Sequence, residues 1–116
     1  MESQPKLKVY ISGKMTGVAD LNRSKFDQAE QLLKNEGFEP VNPHKLDHSA
    51  NVNESWEEFM RVDLAELLKC DAIALIDDWH DSKGAIIEFR LAQDLKMPYI
   101  ILGSDIKSIV RKISMN

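Results

Sequence analysis

Cysteine is nearly missing from this chain: Cys70 stands alone, so no internal disulfide can form, and a lone thiol fits a reducing compartment. Long hydrophobic runs are missing too. The longest apolar stretches, Ala72 to Ile76 and Tyr99 to Leu102, are far too short to cross a bilayer, and no membrane partner is expected. Met1 to Lys6 is followed by no apolar stretch of signal-peptide length, so the expected location is the cytoplasm. No basic block occurs, and the formal net charge is −4. A nucleic-acid polymer is therefore not the expected partner, because neutralising phosphates needs clustered Lys and Arg. Repeats, low-complexity segments and linkers are absent as well.

The 116 residues present suit one domain, expected over 1–116 with a core of about 7–113. Hydrophobic residues make up 43% of the chain and charged residues 29%, a balance that lets a soluble domain of this size bury a core without covalent staples. Lys8 to Ser12 reads as a strand, followed by a loop from Gly13 to Asp20. Phe26, Ala29, Leu32 and Leu33 recur at helical spacing between about Asn22 and Glu36, where Gly37 stops the helix. Phe38 to Val41 reads as a second strand, at an edge because Pro40 cannot donate to a ladder.

A polar loop, Pro43 to Asn53, leads to a helix from about Glu54 to Lys69. Asp71 to Ile76 is a continuously apolar strand, as a strand covered on both faces requires. After the loop Asp77 to Lys83 come a helix from Gly84 to Lys96, a strand from Pro98 to Leu102, and a short closing helix from Ile106 to Ile113. The expected fold class is α/β, a three-layer α/β/α arrangement of Rossmann or flavodoxin type. Its sheet has four mainly parallel strands in order 2-1-3-4. Ligands of such sheets sit beyond the carboxyl ends of the strands, here the loops after Ser12, Val41, Ile76 and Leu102.

Two acids fall where apolar residues belong. Asp63 lies inside the stripe Trp56, Phe59, Met60, Leu67 and Cys70. Glu88 lies inside the stripe Gly84, Ala85, Leu91, Ala92 and Leu95. Each helix thus aims one carboxylate inward, at a cost of several kcal/mol unless the charge is paired or hydrogen-bonded. Internal pairing with a Lys or Arg is the bland explanation, but Arg61 and Arg90 point off the stripes. The alternative is glycosyl transfer, in which one carboxylate attacks an anomeric carbon and a second group manages the leaving-group proton.

Tyr10-Ile11-Ser12-Gly13, Asp63-Leu64 ahead of Cys70-Asp71, and Ser82-Lys83-Gly84 followed by Glu88 resemble the nucleoside 2-deoxyribosyltransferase superfamily, which includes the 2′-deoxynucleoside 5′-monophosphate N-glycosidases. The nearest likeness is to a short bacterial and phage domain family (domain of unknown function 4406-like). The opening Val9 to Gly17 and the tract Phe59 to Leu64 carry it, and it extends over roughly residues 7 to 102. The resemblance implies Glu88 as nucleophile, Asp63 as the acid that helps the base depart, and Tyr10 as the hydroxyl that orients the nucleophile. It also implies a substrate site drawing on Ser12, Gly13, Asp78, Trp79, Ser82 and Gly84, with Ser82 and the start of its helix at a 5′-phosphate. The expected activity is cleavage or transfer of the N-glycosidic bond of (deoxy)nucleosides or their 5′-monophosphates with retention. The expected ligand is a small-molecule nucleoside or nucleotide, bound without cofactor or metal by a homodimer or larger homo-oligomer. The alternative is a catalytically silent nucleotide-binding or sensing module with the same pocket.

Other signals are weaker. Gly13 to Gly17 matches neither dinucleotide nor P-loop fingerprints. Asp77, Asp78, His80 and Asp81 read as a solvated loop rather than a metal site. Trp79 either stacks on a base or packs over the third helix. Trp56 reads as core, and His44 and His48 as surface residues.

Overall fold

A computed structural model describes residues 6–113. The single domain expected over 1–116 extends past them at both ends, and most of the N-terminal stretch read as lacking a signal peptide lies outside them. Eight principal elements follow one another: β1 (Lys8–Ser12), α1 (Arg23–Asn35), β2 (Glu39–Val41), α2 (Trp56–Leu67), β3 (Ala72–Leu75), α3 (Lys83–Asp94), β4 (Tyr99–Leu102) and β5 (Ile109–Ile113). The sheet order is β2-β1-β3-β4-β5. The first four strands are parallel, with Val9 opposite Pro40 on one side and Ala72 on the other. Among the described residues no helix is long and apolar enough to cross a membrane.

Side-chain alternation along β1 sorts the interior into two layers. Val9 and Ile11 join Phe26, Ala29 and Leu33 of α1 on one face of the sheet. Tyr10 joins Leu67 of α2 and Phe89 and Ala92 of α3 on the other. Ala72, Ala74 and Ile76 face α1, whereas Ile73 and Leu75 face α2 and α3, so both faces of β3 are covered and its unbroken apolar run is explained. Pro40 lies on the edge strand, as its missing N–H requires.

The closing helix expected over Ile106 to Ile113 is a strand instead, and the sheet has five strands rather than four. β5 runs antiparallel to β4, with Tyr99 opposite Ile113 and an irregularity at Ile101/Leu102. The spacing of Ile106, Ile109 and Ile113 mimics a helical face, but the β-branched residues meet a free sheet edge, and tertiary pairing overrides the local period. Gly103 closes the connection, its N–H donating to the Ser108 carbonyl at 2.8 Å.

Each parallel crossover starts its helix at the carboxyl end of the preceding strand, which brings the first turns of α2 and α3 to the same end of the sheet. Ser55 caps α2, its hydroxyl accepting from the Glu58 N–H at 3.0 Å. Ser82 caps α3 in the same way, through the Ala85 N–H at 3.1 Å. Where the two helices cross, a Cβ on Gly84 would come within 3.1 Å of the Met60 sulfur. Glycine there permits their close approach.

Candidate active site

The connection from β1 passes sideways to β2 and that from β2 returns across to β3, so the strand order reverses between β1 and β3. A cavity of about 780 Å³ opens at the carboxyl ends of these strands, where doubly covered parallel sheets hold their ligands. Gly13 and Met15 after β1, Pro43 after β2, and the segment Asp81 to Ala85 at the start of α3 all contribute walls. The first turns of α2, from Ser55 to Asp63, close the opposite side. The loop after Leu102, expected to contribute, supplies no lining residue. Gly13 is needed for the tight fit at the floor, since a Cβ there would lie 2.9 Å from Ile76 Cβ.

Glu88 and Asp63 both line this cavity, and both are buried, at 5% and 3% exposure. Among the described residues neither forms an ion pair with a lysine or arginine; Arg61 turns to Glu58 on the outer face of α2. Tyr10 and Ser12, alternate residues of β1, reach Glu88 from behind. The Tyr10 hydroxyl donates to Oε2 at 2.5 Å and the Ser12 hydroxyl to Oε1 at 2.7 Å. Both donors are fully buried. Each carboxylate oxygen of Glu88 keeps acceptor capacity beyond the hydroxyl it meets.

Burial pushes the Glu88 carboxyl up to about 8, against the two hydroxyl donors that pull it down, and the nearby charge of Asp63 adds to the rise. Burial likewise raises Asp63 above its ordinary range, opposed by the hydrogen bond and charge of His48. The Tyr10 phenol is held well above its usual value, first by burial and then by the charges of Glu88 and Asp63. It stays protonated and can only donate to a charged Glu88. The cavity therefore holds two inequivalent carboxyls, both raised above the ordinary carboxylate range, an arrangement capable of acid–base chemistry.

The other residues singled out in the sequence divide between the cavity and its frame. Ser82 and Gly84 line the cavity, although the Ser82 hydroxyl already accepts the capping N–H. Asp78 is not in the lining. Its Oδ1 accepts from the Lys14 N–H at 2.9 Å and its Oδ2 from Asn22 Nδ2 at 2.9 Å, with Lys25 Nζ at 3.4 Å. It ties the loop after β1 to the loop after β3. Trp79 is also outside the lining and packs edge-on against Phe89, with centroids 4.9 Å apart. Of its two readings, the packing one describes the structure. Asp77 faces Lys25, and among the described residues no group of three or more His, Cys, Asp or Glu side chains is placed to hold a metal ion.

Two corrections bring in residues the sequence reading had set aside. Trp56 is not core: half-buried at the start of α2, it forms part of the cavity wall with Lys83 Nζ 4.5 Å from its ring centroid. The Ser55-x-x-Glu58 capping pattern was the available signal, because it starts the helix at Trp56 and so places that ring at the crevice. His48 is not a surface residue either. Its Nε2 lies 2.9 Å from Asp63 Oδ1, its side chain is 15% exposed, and its ring stacks on Phe59 at 3.9 Å and 5°. No local pattern in a polar loop announces such a contact.

Residues 7–101 match the family model described as Domain of unknown function (DUF4406), and the chain belongs to that family. A comparison with curated proteins gives no match.

Proposed function

We propose that this member of the DUF4406 family is an N-glycosidic enzyme. It would cleave or transfer the base of (deoxy)nucleosides or their 5′-monophosphates with retention, on a core of Rossmann type. One observation carries the reading: a buried glutamate at a cavity, held by two hydroxyls and by no cation among the described residues, shares that cavity with a second buried carboxyl. A structural acid of that depth is normally neutralised by a cation or a set of backbone donors. Glu88 is instead held by two hydroxyls, and burial pushes its carboxyl up to about 8, so it changes charge near neutrality, which suits a group that must form and break a bond.

In the first step a Glu88 oxygen attacks the anomeric carbon, the C–N bond to the base breaks, and the Asp63 carboxyl gives its proton to the departing nitrogen. A glycosyl ester on Glu88 results. In the second step water attacks the same carbon, the ester C–O bond breaks, and Asp63 takes a proton from the water. A second base in place of water gives transfer. Two inversions at one carbon give net retention.

The cavity volume accommodates a nucleotide-sized ligand. Lys14, Lys83 and the start of α3 line it and support a phosphate-bearing substrate through charge and helix-end N–H groups. Trp56 and Phe59 offer aromatic surface for a base. The buried single thiol, Cys70, supports a cytoplasmic location, and the resemblance supports a homo-oligomer, which sedimentation would test.

Incubation with deoxynucleosides and their monophosphates, with and without an acceptor base, followed by chromatography of released bases, tests the activity. Base release by the wild type and its loss in Glu88→Ala are expected. Release at an unchanged rate from Glu88→Ala would remove the assignment. Tight nucleotide binding with no release on long incubation would favour the silent sensing module.

A further inference from the structure

We infer that His48 is the positioning residue for the leaving-group acid, fixing the Asp63 carboxyl so that one oxygen is held and the other is presented to the departing base. The inference rests on the proposed N-glycosidic reaction and adds to it a residue outside the resemblance.

Three features of the geometry support it. Asp63 Oδ1 meets His48 Nε2 at 2.9 Å, and the described hydrogen bonds give Oδ2 no side-chain partner. The imidazole is itself fixed, lying flat on Phe59, which stands one turn before Asp63 on α2 and also lines the cavity. The ring thus sets the carboxyl from a platform that belongs to the same helix. Finally, the partner is an imidazole and not a lysine or arginine. A permanent cation would lock Asp63 as carboxylate, whereas an imidazole nitrogen donates to a carboxylate in one tautomer and accepts from a carboxyl in the other.

His48, from the loop, acts on the Asp63 carboxyl, and the Asp63 charge in turn raises Glu88 on α3 and Tyr10 on β1. His48 alone favours the charged form of Asp63. Glu88 gains its own stabilisation from Tyr10 and Ser12. The two carboxyls are thus supported by separate side chains, and removing His48 leaves the hydroxyl donors of the nucleophile in place.

His48→Phe keeps a ring on Phe59 and removes the nitrogen. Base release by this variant is compared for two substrates: one whose neutral base leaves only with a proton, and an N7-methylated purine nucleoside, whose cationic base departs as a neutral molecule unaided. The expected result is a fall in kcat of about tenfold or more on the first and little change on the second, with Asp63→Asn showing the same pattern more strongly. Equal slowing of both substrates, or of neither, overturns the role of His48 while leaving the enzymatic reading intact. That reading fails separately, if the wild type releases no base or Glu88→Ala releases it normally. Carbon-13 titration of the Asp63 carboxyl decides the inference without turnover: the midpoint should rise in His48→Phe, and an unmoved midpoint overturns it.

Discussion

Tyr10 Oη stands 2.5 Å from Glu88 Oε2, a contact made across 78 residues of chain between the first strand and the third helix. It joins a fully buried hydroxyl of β1 to the acid on which the proposed chemistry turns. Because the phenol favours the charged form of Glu88, Tyr10→Phe should raise the carboxyl further. A lost hydrogen bond to a charged group is worth about 1.5–3 kcal/mol, which corresponds to a fall of about 10- to 150-fold in kcat/KM at neutral pH. A variant within about twofold of wild type would show that the contact is structural only.

The pH dependence of activity should be bell-shaped. The proposed reaction needs one proton on the pair, and the pair holds one proton mainly between its two titrations. That proton rests mostly on Glu88 and must pass to Asp63 before Glu88 attacks, so the reactive arrangement is a fixed minor share of the singly protonated pair. The upper limb is set near the Glu88 value of about 8, and the lower limb by the raised Asp63; both constants belong to the pair. Initial rates at low substrate between pH 4 and 10 measure it. A flat profile through this range contradicts the two-carboxyl mechanism.

Stability has its own pH signature. Glu88 keeps its proton in the folded chain up to about 8, whereas the unfolded chain loses it near the ordinary glutamate value. The stabilisation from this group is complete below that ordinary value and fades as pH rises toward 8, by up to ~1.4 kcal/mol per pH unit. Glu88→Gln removes this slope. Urea denaturation of both proteins between pH 5 and 8.5 should therefore show the variant gaining on the wild type as pH rises. Parallel curves would contradict the raised value.

The two tryptophans should part company. Trp56→Leu removes a cavity wall, so it should raise KM or a nucleotide Kd by about 1–2 kcal/mol with little loss of Tm. Trp79→Leu should leave KM alone and cost about 1–2 kcal/mol of folding free energy, through its lost contact with Phe89. Calorimetric titration paired with thermal melts separates the two effects, and the opposite assignment would return Trp79 to the site.

Asp78→Ala should loosen the wall rather than the chemistry. It strands the Lys14 N–H and removes one of two acceptors of Asn22 Nδ2, which keeps the Lys14 carbonyl, beside a turn in which Asp20, Leu21 and Asn22 all adopt positive φ, a left-handed run unfavourable for side chains other than glycine. A loss of about 1–3 kcal/mol in stability is expected, with KM rising more than kcat falls. An unaffected KM would separate this loop from substrate binding.

What the linear chain disclosed follows from which forces are local. Strands β1 to β4 and helices α1 to α3 were legible because burial on one or two faces writes a period into the residues, and the same period exposed Asp63 and Glu88 as intruders. The Tyr10 hydroxyl was implied by the resemblance, whereas Ser12 was expected at the substrate and its hydrogen bond to Glu88 was not foreseen. β5 was not legible, because its pairing depends on the open edge of β4 and not on its own spacing. His48 and Trp56 escaped for a related reason: their partners lie across space, and neither breaks a pattern where it stands.

The nucleophile and the acid are anchored in unlike parts of the fold. Glu88 takes its support from the first strand, paired on both sides within the sheet, where a change of residue disturbs the interior. Asp63 takes its support from the connection between β2 and α2, where residues are exchanged at little structural expense. Under the proposed reaction, the acid can therefore be retuned through the loop that carries His48 while the bond-forming group is inherited unchanged.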